Sequence, residues 1–166
     1  MIRAVVLNRG IGNDDNGGDP ALHREKPVND TLDLPAGRTL FDLPFTMADL
    51  ARLRFLVTRR SEDAGLSEPR LSDFVLAVHE VASNAVVHGG GKGRIQLTYT
   101  GDGLRCVVTD SGPGLTRPKP CESATLPEGD DAEDGRGLWL AQALTDHFEV
   151  AVRETGTAVT LVTLLS

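Results

Sequence analysis

LSDFVLAVHEVASNAVVHGGGKG, residues Leu71 to Gly93, is the stretch whose reading decides the fold. It predicts one helix closed by a glycine run. At about 100° per residue, Leu71, Val75, Val78, Ala82 and Ala85 fall within roughly 80° of one another. That is an apolar stripe suited to packing on a sheet. Glu80, Asn84 and His88 recur every fourth residue and form a second line on another face. Ala77, Val81 and Val87 lie beside or within that line, so it reads as covered rather than wet. A carboxylate, an amide and an imidazole on a covered face need partners. Those partners are either a buried hydrogen-bond network or a ligand with a metal.

Working outward, 166 residues suit one domain, and a hydrophobic share of 40% is enough for a core. Aromatic residues make up only 4%, so aliphatic side chains must fill it. A net charge of -7 argues against a direct nucleic-acid surface, which wants a basic face. No apolar run approaches the roughly 18 residues of a membrane helix, and Met1 to Leu7 is too short for a signal peptide. Cys106 and Cys121 have no paired spacing, which predicts free thiols in a reducing cytoplasm.

Residues 1 to 36 are dense in Gly, Asn, Asp and Pro and predict a flexible N-terminal segment. Ile2 to Leu7 carries the alternative of an edge strand. Residues 37 to 166 make the domain. Thr39 to Leu43 predicts a strand. Thr46, with Asp49 as an acidic capping-box variant, opens a helix to about Asp63. Its apolar positions are Leu50, Leu53, Phe55, Leu56 and Val57, and Gly65 ends it. Ser67 is the expected cap of the central helix, with Glu68 and Pro69 in its first turn.

Beyond the glycine run, Arg94 to Thr100 and Leu104 to Thr109 predict a hairpin turning at Gly101-Asp102-Gly103. Residues 115 to 134 lose periodicity and carry the acidic run EGDDAED, which reads as a lid. Gly135-Arg136-Gly137 then opens a helix over Leu138 to Thr145. Phe148 to Arg153 and Thr157 to Leu164 predict a last hairpin. The order implies an α+β two-layer sandwich: a mostly antiparallel sheet of about five strands, covered on one face by about three helices.

Several motifs carry chemistry. Asp110-x-Gly112-x-Gly114 follows a strand. Its glycines allow close approach of a flat ligand, and Asp110 can accept a hydrogen bond from an exocyclic amine such as that of adenine. The bland reading is a turn. Gly135-Arg136-Gly137-Leu138 at a helix start reads either as a loop-to-helix transition or as a phosphate cradle of orphan N–H groups. Gly89 to Gly91 with Lys92 is not a Walker loop, because Gly93 follows the lysine and the run follows a helix. Helix termination is the better reading. His23, His79 and His147 lack metal-like spacing, and Cys121 has no base tied to it.

Taken in order, Glu80-x3-Asn84-x3-His88 on a helix, Asp110-x-Gly112-x-Gly114 after a strand, a lid, and Gly135-x-Gly137-Leu138 resemble the GHKL, or Bergerat-fold, ATPase superfamily. The resemblance covers about Thr39 to Leu164. HEVASNAVVHG and the small size look like the bacterial anti-sigma-factor serine/threonine kinases. The resemblance implies ATP and Mg²⁺, with Asn84 as metal ligand and Glu80 as the catalytic residue that orients or deprotonates the attacking hydroxyl. It implies Asp110 as the adenine reader, with Gly112 and Gly114 beneath the base and at the lid hinge. Gly135, Arg136, Gly137 and Leu138 match the phosphate loop. Thr157 matches a threonine near the adenine, although Thr155 replaces a glycine usual there. His88 is common in that branch, as helix-end structure or ligand contact. The implied partners are a sigma factor and an anti-anti-sigma antagonist protein; relatives are often homodimers, and the sequence itself does not give the oligomeric state. A nucleotide-binding switch without kinase activity is the alternative.

Overall fold

A computed structural model describes residues 3–8, 37–112 and 132–166. Among these, the chain runs β1 (Arg3–Asn8), β2 (Arg38–Thr46), a 3-10 turn (Met47–Asp49), α1 (Leu50–Asp63), α2 (Arg70–Val87), β3 (Lys92–Tyr99), β4 (Gly103–Asp110), α3 (Ala132–Ala143), β5 (His147–Arg153) and β6 (Gly156–Leu164). The strands form one antiparallel sheet in the order β1-β5-β6-β4-β3-β2. The α+β two-layer architecture is therefore as expected, with one strand more. Arg3–Asn8 is not part of a featureless tail: it pairs with β5 along the sheet edge. Residues 9–36 lie outside the described residues, as do residue 114 and the lid at 115–131.

Alternation builds the sheet's helix-facing side. Leu43, Ile95, Val108, Val159 and Val150 stand opposite one another from β2 across to β5. Phe41, Leu97, Cys106, Leu161 and Phe148 form the next row. Cross-strand aliphatic rows of this kind are the unit of sheet stabilisation. Burial pushes the Cys106 thiol well up from its ordinary pKa, so it behaves as a small apolar side chain.

The helix layer closes over these rows. Leu71, Val75, Val78, Ala82 and Ala85 of α2 are all buried, together with Phe74, Ala77, Val81 and Val86. α2 lies against β3, β4 and β6, with α1 and α3 on either side of it. Its second face is half-covered by α3 at Glu80 and Asn84, but His88 is exposed and Val87 is 54% exposed. In α1, Leu53 and Val57 are buried, but Phe55 is not: it is 68% exposed.

Local signals set the helix ends, with some differences from expectation. The Asp49 carboxylate accepts from both the backbone N–H and the hydroxyl of Thr46, each at 2.9 Å. Those bonds hold its pKa below the usual value. Their stabilisation is present above the unfolded-state pKa and is lost as pH falls through the folded one. Gly65 closes α1 at φ +100°. Ser67 does not cap α2, which starts at Arg70 without a side-chain cap at Pro69. Glu68 serves instead, accepting from the Ser72 N–H at 3.2 Å and the Ser72 hydroxyl at 2.8 Å. The larger guanidinium of Arg70 ties α2 to the far end of the sheet through the Leu164 carbonyl at 3.0 Å and the Asp146 carboxylate.

α3 departs most from expectation. It begins at Ala132, so Gly135-Arg136-Gly137 lies inside the helix rather than at its start. In the sequence Ala132 to Asp134 merge with the acidic run before them, so nothing local marks this start.

Ser61 is fully buried in α1, and its hydroxyl has no partner. Ser61→Ala should therefore stabilise the fold by about 1 kcal/mol, which is ~3 °C in Tm. Thermal unfolding reads this directly. A fall in Tm would mean that the hydroxyl does useful bonding.

Candidate functional site

The apolar rows end at one edge of the core in a row of a different kind. Phe45, Gly93 and Asp110 stand opposite one another on β2, β3 and β4. Gly93 has no alternative there, because any Cβ would strike the Phe45 ring. Asp110 is two residues beyond buried Val108, so strand alternation turns it towards the helices. Its Oδ1 accepts the Gly112 N–H at 3.0 Å, which bends the chain away from the strand.

Three glycines then let backbone meet backbone around Asp110. A Cβ on Gly89 would run into the Asp110 side chain and the Ala85 carbonyl. One on Gly112 would lie 2.5 Å from the Gly89 Cα. One on Gly156 would strike the Asp110 carbonyl, and at φ +138° that residue has a backbone few others adopt. Gly90 and Gly91, at φ +86° and +82°, complete the turn that ends α2. The end of α2, the end of β4 and the start of β6 are thus locked together.

A cleft of about 370 Å³, open to solvent, lies between this junction and the helices. Its walls include Asn84, His88, Asp110, Leu138 and Thr157, over a floor of Val108 and Val159. Five of the sequence-predicted residues therefore come together. Glu80 lies one turn along α2, where Gly137 of α3 meets it: a Cβ there would be 3.0 Å from Glu80 Oε2 and 3.1 Å from Asn84 Nδ2. Gly112 is at the junction itself. Arg136 is exposed on α3 beside Gly137. The N–H groups without helical partners at the start of α3 precede Gly135, whose own N–H is the first to bond within the helix, so neither Gly135 nor Gly137 supplies one.

Two features bear on what the cleft takes. Thr157 is 4% exposed, and its hydroxyl has no partner among the described residues. A buried polar atom left unpaired beside a carboxylate, on the wall of a cleft, is a place waiting for a ligand. For a metal, no group of three His, Cys, Asp or Glu side chains exists among the described residues. On the α2 wall of the cleft, Asn84 offers one side-chain oxygen. That suits Mg²⁺, which takes few protein ligands and completes its shell with phosphate and water. It does not suit an ion that needs an all-protein cage.

Sequence reasoning missed Gly89 and Gly156. Gly89 passed as helix termination and Gly156 as a hairpin turn. Both readings are correct, but each glycine also abuts Asp110, and only the pairing of distant segments reveals that.

This is a two-layer α+β domain with a ligand cleft between its central helix and one end of its sheet. The family model of the histidine kinase-like ATPase domain matches residues 43–163, and the chain belongs to that family. It is thereby an ATP-binding domain of the GHKL type. A comparison with curated proteins finds no match. Among solved structures, the RsbU and RsbW domains of Rv1364c from Mycobacterium tuberculosis align with a TM-score of 0.51 and 21% identity, over 75% of this chain and 32% of that one. Full-length ShkA in complex with AMPPNP aligns with a TM-score of 0.38 and 21% identity, over 79% of this chain and 33% of that one. The chain thus spans about a third of each, and the first likeness shows a shared fold.

Thr157→Val replaces the unpartnered hydroxyl with a methyl group of similar size. The unliganded protein should gain about 1 kcal/mol of stability. Calorimetric titration should show ATP affinity falling by ~5- to 10-fold, the loss of one hydrogen bond. Unchanged affinity would remove Thr157 from the site.

Proposed function

We propose that this protein is an ATP-dependent protein serine/threonine kinase of the anti-sigma type. It phosphorylates a small antagonist protein and holds a sigma factor, with the two partners competing. The observation that carries the reading is that Glu80 and Asn84 both meet Gly137, while Asn84 lines the same cleft as Asp110 and Thr157. From Glu80 to the end of α2 at Val87 the helix rises ~10 Å. A ligand that reaches both is longer than a base alone.

The residues divide the work. Asp110 accepts a hydrogen bond from the adenine amine, and Thr157 pairs with the ring beside it. Gly112 and Gly114 let the base lie close to the backbone. Asn84 holds Mg²⁺, whose charge offsets that of the phosphates during phosphoryl transfer. The orphan N–H groups at the start of α3, near Gly135, Arg136 and Gly137, face the phosphates. Leu138 lines the apolar wall, and His88 borders the base side of the cleft. Glu80 orients the incoming hydroxyl and takes its proton. A cytoplasmic location fits the buried thiol of Cys106, and among the described residues no helix is long and apolar enough to cross a membrane.

A second reading, an ATP-binding switch without phosphotransfer, has one observation in its favour. Gly137 sits flush against Glu80 and Asn84, so α3 covers the carboxylate that a hydroxyl would need to reach.

Glu80→Gln separates the two. With labelled ATP, Mg²⁺ and antagonist-type proteins from the same genome, phosphotransfer should fall by ~10²- to 10⁴-fold. ATP affinity should stay within about threefold, because Glu80 is not used to hold the base. Asp110→Asn should do the reverse and weaken ATP binding by ~10-fold or more. Transfer that ignores Glu80→Gln would remove Glu80 from the chemistry, and no transfer to any antagonist despite tight ATP binding would favour the switch.

A further inference from the structure

Helix α1 presents a surface that the nucleotide cleft does not use. Leu53, Val57 and Ser61 are its buried positions, so its opposite side faces solvent. At about 100° per residue, Phe55 and Arg59 lie nearest the centre of that side, with Arg52 on one flank and Ala51 on the other, and Arg54 lies beyond Ala51 towards the groove with α2. Phe55 is 68% exposed, and Met47, in the 3-10 turn that leads into the helix, is 53% exposed. These are two of the most exposed large apolar side chains among the described residues. Nothing in the core requires a phenylalanine to stand in water at mid-helix.

The charge around this stripe is unusual for the chain. α1 holds Arg52, Arg54, Arg59 and Arg60 against Glu62 and Asp63, in a protein of net charge -7. Arg59 pairs with Glu62 at 3.1 Å and Arg60 with Asp63 at 3.8 Å. Arg52 stands near Asp49, outside salt-bridge range, and Arg54 has no ion pair among the described residues. The unneutralised charge therefore lies beside Ala51 and Phe55. The stripe also begins where the site is: Phe45, just before Met47, pairs through Gly93 with Asp110.

We propose that Met47, Ala51 and Phe55, with Arg52 and Arg54, form a docking surface for an acidic partner protein. The partner seats an apolar side chain against Phe55 and sets carboxylates against the two arginines. Phe, Met and Arg are the residue types in which interface energy concentrates. Nucleic acid and anionic bilayers fit less well, because Asp49, Glu62 and Asp63 interrupt the basic face and the whole chain repels phosphate. A second copy seated two-fold on the same patch would oppose arginine to arginine. Docking here does not depend on phosphotransfer, only on the shape and charge of α1.

The test uses the full chain and a synthetic amphipathic helical peptide with leucines along one face and glutamates along the other. Its counterpart carries lysines in place of the glutamates. By fluorescence anisotropy the glutamate peptide should bind at least ~10-fold more tightly than the lysine peptide. Phe55→Ala, and separately the double substitution Arg52→Glu with Arg54→Glu, should each weaken it by ~10-fold or more. Thermal stabilisation by ATP·Mg²⁺ should be unchanged in all variants, since none touches the cleft. Absent binding, equal binding of both peptides, or binding blind to the substitutions overturns the proposal. So does capture of phosphatidylglycerol vesicles that is lost in Phe55→Ala, or self-association in sedimentation that the same substitution abolishes.

Discussion

The contact on which the rest depends is backbone against backbone at Asp110. Gly89, Gly112 and Gly156 come from segments far apart in the chain, and each occupies space that a Cβ would take from Asp110 or its neighbours. The absence of three side chains brings the end of α2, the end of β4 and the start of β6 within van der Waals reach. Polar groups from all three then border one cleft. A methyl group at any of the three would push apart the segments that carry Asn84, Asp110 and Thr157. Glycine also carries a larger entropic cost on folding, so three of them at one junction make sense only if the closeness itself is used.

The junction holds because the sheet beneath it is rigid. Two continuous apolar rows run from β2 to β5, and α2 lays its buried face across them. Interiors packed this way behave as solids rather than oils. The row through Asp110 is the first in which a polar side chain replaces an aliphatic one. Its direction is set by the same alternation that buries Val108 and Cys106. The site is therefore a continuation of the core pattern past the point where the core ends, and Arg70 anchors the opposite end of α2 to β6.

Much of this was legible in the sequence because it rests on periodicity. The stripe on α2, both hairpins, the capping box at Thr46 and the order of the elements follow from local pattern and turn chemistry. Asn84, His88, Asp110, Leu138 and Thr157 were named from motif spacing, and the fold brings them to one cleft. What was not legible depends on pairing across distance. Phe55 fits an apolar position in α1, yet with Leu53 and Val57 already turned to α2 the helix has no second neighbour to bury it. Ser67 looks like a cap, but Glu68 reaches the Ser72 N–H instead. β1 has no turn signal to announce it, and only the exposed edge of β5 gives it a partner. Gly89 and Gly156 satisfy local rules so well that their second role leaves no mark in the sequence.

α3 shows how a local cost and a tertiary requirement meet. Two glycines inside a helix of 12 residues cost about 2 kcal/mol relative to alanine, and a helix that short is marginal by itself. Local propensity would start it after Gly137, as the sequence suggests. Packing decides otherwise, because Gly137 is the point of closest approach to Glu80 and Asn84, and alanine there would press on both polar groups. The helix keeps its weak residues where it meets two polar side chains, while Ala141, fully buried, and Leu138, packed on the core, hold its second half. Asn84 both lines the cleft and lies against Gly137, so a group that binds it sits directly beside α3.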